Sequence, residues 1–203
     1  VSHELRTPIT NILINTDLAD EELDSNPQDS RKRLGLLREE AGRLSRLIDN
    51  VLAFSRREQD KIELSIAEVR VDEVIEKVLE NFAPALERHG FDIETNLAST
   101  DPIETDPDAL AQILTNLVSN VEKYGRKGKW LQITSKRTDD QIIISCSDRG
   151  PGISQKHRER IFEPFYRETD SVREGVSGTG LGLTIAHELA NRLGGDLQLC
   201  EPE

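Results

Sequence analysis

Two asparagines and a lysine stand at helical spacing in "NLVSNVEKY", Asn116 to Tyr124. Asn116 and Asn120 are four apart and Lys123 is three further on, so in a helix they share one face. Asparagine is a mediocre helix former. Two of them set between Leu and Val suit a chemical purpose. A carboxamide oxygen is a hard ligand of the kind Mg²⁺ accepts, and a lysine one turn on can meet a phosphate. The plain alternative is a solvated polar stripe, and spacing alone does not separate the two.

Two glycine clusters follow. In "DRGPGI", Asp148 to Ile153, a carboxylate ends an apolar stretch, and Gly150 and Gly152 let the backbone come close to something flat or bulky. Asp148 can accept a hydrogen bond from an exocyclic amine such as N6 of adenine. Asp and Gly are equally at home in an ordinary turn that closes a strand. In "GTGLGL", Gly178 to Leu183, glycines run into a helical pattern, where free N–H groups and the helix dipole suit phosphate. No Gly-Lys-Ser/Thr follows, so this is not a Walker A loop. No strand precedes it, so it is a poor dinucleotide fingerprint as well. Between the two clusters lies "IFEPFYRETDSVREGVS". A loop of roughly 17 residues in a compact domain has the length of a lid. Phe162 and Phe165 are placed to anchor its near end, and Arg167 and Arg173 to reach a phosphate; a solvated loop is the alternative, above all for Arg173.

The fourth stretch is "SHELRTPIT", Ser2 to Thr10. It sets one of four histidines beside a glutamate. Thr7, four residues after His3, falls one turn along on the same face. Pro8 has no N–H for the carbonyl of Glu4 and crowds it, so a helix here is expected to bend.

The elements that must hold these residues are readable from periodicity. Residues 1–57 read as a helical hairpin. Ile9, Ile12, Leu13, Thr16 and Leu23 lie at helical spacings, "SNPQDS" (Ser25–Ser30) interrupts, and Leu34, Leu37, Ala41, Leu44, Leu47, Ile48, Val51 and Leu52 form one apolar stripe. A lone hairpin cannot cover that stripe, so a four-helix bundle made by a homodimer is expected; packing on the rest of the same chain is the alternative. The boundary falls near Arg57–Lys61. Residues 58–203 mix strands and helices as an α+β sandwich with one sheet face covered by helices. "IELSIAEVRV" alternates as a strand, and Asp72 is placed to cap the helix after it. "FDIETNL" and "IETD" are short strands. Asp106 is placed to cap a helix with Pro107 at its first position and Gly125 past its end. "WLQITSKR" and "QIIISCSD" pair around "TDD". A helix is expected near Gln155–Ile161 and another from about Leu181 to Leu193, with "DLQLC" opening a strand.

Composition narrows the classes. The 203 residues carry 32% charged and 35% hydrophobic side chains, a globular balance. A net charge of −12 argues against nucleic acid and anionic membrane surfaces as partners. It leaves room for a bound nucleotide, which needs only local cations and a metal. Cys146 and Cys200 make no disulfide framework, and Cys146 reads as a small buried hydrophobe. No run of about 18 apolar residues and no signal peptide is present. The chain has no methionine, and it is expected to be a piece of a longer protein.

The four stretches with their lid, in their order along the chain from "SHELRTPIT" to "GTGLGL", resemble the core of sensor histidine kinases. "SHELRTPIT" is similar to their H box, the hairpin to their dimerisation and phosphoacceptor domain, and the rest to the ATP-binding domain shared with Hsp90, gyrase and MutL. The resemblance covers nearly the whole chain. It implies that His3 is the phosphoacceptor, that Glu4 is the general base at Nδ1, leaving Nε2 to attack the γ-phosphate, and that Thr7 helps place a water that dephosphorylates the partner. It implies Asn120 as Mg²⁺ ligand with Asn116 and Lys123 near the phosphates, and Tyr124 on the adenine side. Asp148 becomes the adenine-amine acceptor with Gly150 and Gly152 as its close-approach glycines. Arg167 becomes the lid residue on the γ-phosphate, and Gly178, Gly180 and Gly182 the phosphate-side loop. The implied activity is ATP-dependent phosphorylation of His3 and transfer to an aspartate of a response regulator, with a regulator phosphatase activity alongside. The alternative is a nucleotide-binding scaffold without turnover, whose mark would be a decayed box; none is decayed. The family continues with a glycine turn and a final strand, which is expected to be cut short here at Glu203.

Overall fold

A computed structural model describes residues 2–23, 25–58, 64–167 and 178–200, the side chains of 2–4, 39 and 53–58 excepted. The chain divides into two compact units, built on Val1–Lys61 and on Ile62–Val176 with Gly180–Glu203.

The first unit is a hairpin of α1 (Ser2–Glu22) and α2 (Pro27–Glu58). Pro27 opens α2, where its missing N–H costs nothing, so the helix begins inside the stretch whose residues read as a turn. The Asn26 carbonyl accepts from the N–H groups of Asp29 and Ser30. Three cross-ties fix the antiparallel register. Buried Ser30 Oγ donates to the Ala19 carbonyl at 3.0 Å. Arg33 Nε and a terminal nitrogen donate to the two Glu22 oxygens at 2.7 and 2.8 Å. Asn11 Nδ2 reaches Glu40 at 3.5 Å. Leu47 and Ala19 are buried, whereas Ile9, Leu13, Ile48 and Leu52 remain 43–60% exposed. Pro8 lies within continuous helix and is fully buried.

The second unit sets helices on one face of a three-stranded sheet. β1 (Ala67–Val69), α3 (Val71–Arg88), β2 (Asp92–Ala98), β3 (Ile103–Thr105), α4 (Pro107–Tyr124), β4 (Trp130–Arg137), β5 (Ile142–Asp148), α5 (Gln155–Arg158) and α6 (Gly182–Arg192) follow one another. The sheet order is β2-β4-β5, β2 and β4 being parallel and β4 and β5 an antiparallel hairpin; β1 and β3 form a separate antiparallel pair. Ile75, Leu86 and Phe82 of α3, Leu114, Val118 and Val121 of α4, and Leu131 and Ile133 of β4 form the core. Cys146 packs against it, and burial pushes its thiol up to about 12.

Asp106 caps α4 as expected, accepting from Asp108 and Ala109 N–H groups at 2.9 Å each. Its other oxygen accepts the Ser65 N–H at 2.7 Å. That bond takes the Ser65 N–H out of any ladder, and among the described residues of the alternating stretch only Ala67–Val69 form a strand. Asp72 departs from expectation too. α3 begins at Val71, and Arg70 precedes it without a side-chain cap. The Asp72 carboxylate instead accepts the Ser99 N–H at 2.9 Å and the Ser135 hydroxyl at 2.5 Å, and Ser135 Oγ accepts the Ala98 N–H. Three elements are tied by one carboxylate, a better use of it than a single cap bond. The helix expected to Ile161 stops at Arg158 and continues as turns toward Pro164, which disfavours helix in the residue before it. Residues 196–200 form no strand.

Two outcomes follow from these ties. Asp72→Ala strands two buried donors and should lower the unfolding free energy of the second unit by about 2–3 kcal/mol in urea titrations. In the hairpin, the bond from Arg33 holds the Glu22 carboxyl below its ordinary 4.5. A depressed carboxylate pKa gives stability that is present above the ordinary value and is lost as pH falls through the folded one. Helicity of the hairpin by circular dichroism should therefore drop on acidification below 4.5, and Arg33→Gln should flatten that dependence.

Candidate functional site

The site grows from the C-terminal half of α4. Its apolar stripe of Leu110, Leu114, Val118 and Val121 faces the core, which turns Asn116, Asn120 and Lys123 the other way. Asn116 is nevertheless only 5% exposed, because α6 covers that side. A Cβ on Gly182, the first residue of α6, would stand 3.3 Å from Asn116 Oδ1. Two of the sequence clusters thus meet: the first helical asparagine and the start of the glycine-led helix. Asn116 Nδ2 is buried and has no hydrogen-bond partner among the described residues. The N-terminus of α6 has no side-chain cap. A buried amide donor beside uncapped helical N–H groups is a surface made for oxygen anions. Asn120 lies one turn further on, half-buried, its side chain without a hydrogen bond to the described residues.

The Asp148 cluster is held at the C-terminal end of the same helix. Asp148 Oδ1 accepts the Gly150 N–H at 2.6 Å, folding the carboxylate back over its own turn. A Cβ on Gly150 would fall 2.6 Å from that oxygen and 3.1 Å from the Tyr124 carbonyl, so only glycine fits. Gly152 needs no space, but its φ of +70° is a glycine conformation. Tyr124 is 37% exposed at the end of α4.

The lid's near end is pinned on the third cluster. The Phe165 N–H donates to the Gly180 carbonyl at 3.0 Å, and a Cβ on Gly180 (φ +72°) would lie 2.7 Å from the Phe165 carbonyl carbon. Phe162 stacks on His187 of α6 at 4.8 Å between ring centres. Phe165 anchors through its backbone instead: its ring is 51% exposed and its φ is +62°. Tyr166 shares a short hydrogen bond with His157 and carries the Arg160 guanidinium over its ring at 4.2 Å. Arg167 is half-buried at the end of this segment. Residues 168–177, and with them Arg173, lie outside the described residues. Gly178 groups with the first unit and not with Gly180 and Gly182. Thr7 is an exposed residue of α1; the backbone of His3 and Glu4 is helical, while their side chains lie outside what is described.

Sequence reasoning passed over Gly128. A Cβ there would collide with the Arg149 carbonyl at 2.0 Å. In "GRKGK" it reads only as a turn glycine, and nothing local announces that Arg149 lies against it. The same holds for the left-handed Phe165.

Comparisons with known proteins place this geometry. Residues 1–60 match the His Kinase A (phospho-acceptor) domain, and residues 105–203 match the histidine kinase-, DNA gyrase B-, and HSP90-like ATPase domain. The sensor histidine kinase YcbM of Bacillus subtilis (strain 168) is 30% identical over 197 residues, 96% of this chain. The chain carries both domains of a histidine kinase core. The kinase core is also similar to the solved structure of full-length ShkA in complex with AMPPNP, at 31% identity and a TM-score of 0.65 over 95% of this chain and 40% of that one. It is similar to histidine kinase ThkA in complex with the response regulator protein TrrA, at 26% identity and a TM-score of 0.59 over 96% of this chain and 54% of that one. It spans 63% of YcbM and 34% of the Staphylococcus aureus sensor protein SrrB.

Because a Cβ at position 150 has no room, Gly150→Ala must displace Asp148 or the end of α4. ATP affinity should fall by about tenfold or more, some 1.4 kcal/mol, in calorimetric titrations, with the kinase core still folded by circular dichroism.

Proposed function

We propose that the chain phosphorylates His3 at the expense of ATP and hands the phosphoryl group to an aspartate of a response regulator. The observation that carries the nucleotide half is the buried Asn116 amide beside the uncapped start of α6. The AMPPNP bound by ShkA and the regulator bound by ThkA support the substrate and partner classes.

In this reading Asp148 accepts the adenine amine, with Gly150 and Gly152 allowing close approach and Tyr124 at its side. The α6 N-terminus with Gly180 and Gly182, together with Asn116, Lys123 and Arg167, takes the triphosphate. Gly178, which groups apart from Gly180 and Gly182, is given no contact with the triphosphate. Among the described residues no cluster of His, Cys, Asp or Glu could hold a metal by itself. A cation here would take its remaining ligands from phosphate and water, which fits Mg²⁺ held through Asn120. When bound, Mg²⁺ neutralises phosphate charge. Glu4 takes the Nδ1 proton of His3, and Nε2 attacks the γ-phosphorus. The N–P bond forms as the bond to the ADP oxygen breaks, and the phosphoryl group then passes to the regulator's carboxylate. Catalysis is positioning and charge neutralisation. Thr7 is assigned to placing the water that later hydrolyses the phosphorylated regulator.

The open stripe of Ile9, Leu13, Ile48 and Leu52 is assigned to a second copy of the chain, closing a four-helix bundle. Among the described residues no helix is long and apolar enough to cross a membrane. We place the core in the cytoplasm, as part of a longer sensor.

Incubation with γ-labelled ATP and Mg²⁺ should give an acid-labile label on the chain that His3→Gln abolishes. Asn120→Ala should slow labelling by about a hundredfold or more, some 2.7 kcal/mol of transition-state stabilisation. Label that survives His3→Gln would overturn the assignment.

A further inference from the structure

The Asp148 turn is braced from two sides, and only one of them is α4. On the other side Gly128 lies so close beneath Arg149 that a Cβ would stand 2.0 Å from its carbonyl oxygen. The Arg149 guanidinium sits over the Trp130 ring, 4.2 Å from its centre. Trp130 is itself held: its Nε1–H donates to Glu94 Oε1 at 2.9 Å, and Gln132 Nε2 donates to Glu94 Oε2 at 3.2 Å. Glu94 and Gln132 are register partners on β2 and β4, and Asp92 faces Trp130 two positions away on the same face. A line of contacts therefore runs from the outer face of the sheet, through Glu94 and Trp130, to the residue next to Asp148.

We infer that Trp130 and Arg149 are positioning residues for base recognition, a clamp that fixes where the Asp148 carboxylate points. The physical reason is leverage. Asp148 ends β5 and is exposed, and its own turn is closed by one bond to Gly150. A carboxylate that must meet a single exocyclic amine needs its backbone held. A cation on an indole face supplies a directional hold that persists at an exposed site. The clamp touches neither base nor phosphate. Its effect is confined to the purine edge: the amine of adenine suits a carboxylate, and the carbonyl oxygen of guanine at that position repels it. The inference rests on the reading of Asp148 as adenine acceptor.

The test compares ATP with GTP binding by calorimetry on the whole chain, for the native sequence, Arg149→Ala, Arg149→Lys, Trp130→Ala and Asp148→Asn. Loss of the clamp should weaken ATP by about two- to fivefold and leave GTP unchanged, so that discrimination falls by the same factor. Arg149→Lys, which keeps a cation over the ring, should restore part of it. Parallel loss for both nucleotides would mean a general structural role and overturn the inference. So would native discrimination in Arg149→Ala and Trp130→Ala while Asp148→Asn abolishes it, an outcome that leaves the Asp148 reading standing. Native discrimination in Asp148→Asn would overturn both.

Discussion

The second unit depends on α4 being buried on two sides at once. Leu110, Leu114, Val118 and Val121 must face the sheet and α3 to close the core. The opposite face then carries Asn116, and α6 packs over it. A helix covered on both sides would ordinarily be apolar all round. Here the second side also carries a buried amide among Ala109 and Ile113, so the element that covers it must come close at that point without a side chain of its own. Gly182 meets that requirement. Its missing Cβ lets the start of α6 lie against Asn116, which brings an amide donor and a row of backbone N–H groups to one place.

The same device recurs around the site. Gly150 admits the end of α4, Gly128 admits the Arg149 backbone, and Gly180 admits the Phe165–Tyr166 backbone. Each contact joins backbone to backbone, or backbone to the Asp148 carboxylate. Such walls are thin and rigid, and they leave the side chains nearby free to serve a ligand. Phe165 carries the complementary cost: a bulky residue at φ +62° is strained, and the bond to Gly180 holds it there.

What was legible in the sequence was what local chemistry decides. Asp106 with Pro107 declares the start of α4, the turn after Arg137 declares the β4–β5 hairpin, and the stepping of Asn116, Asn120 and Lys123 declares a shared face. What was not legible depends on partners far along the chain. Asp72 has the right residue type and place for a cap, but Ser99 and Ser135 offer its carboxylate more, and nothing near Asp72 announces them. The stretch from Ile62 alternates properly, yet among the described residues it pairs only with the three residues of β3, and Ser65 is already engaged by Asp106. Gly128 and Phe165 take their meaning from Arg149 and Gly180. The resemblance to histidine kinases supplied the order of the clusters, while the contacts that make each one work came only from the fold.

The site also explains an imperfection in the core. Asn116 Nδ2 and Thr184 Oγ1 are buried and have no hydrogen-bond partner among the described residues, although both belong to the two helices that meet at the nucleotide side. An unsatisfied buried polar group costs about 1–3 kcal/mol. An apolar pair at these positions would pack as well at lower cost in a domain with no ligand to hold. A ligand that offers oxygen to the amide removes part of that cost on binding, and it stabilises the folded unit by mass action as it does so. The unit is therefore less stable alone than its packing would allow, and the deficit sits at the α4–α6 contact, the place proposed for the triphosphate. Stability and recognition are traded at the α4–α6 contact, and the glycine that permits the contact is also what makes the trade available.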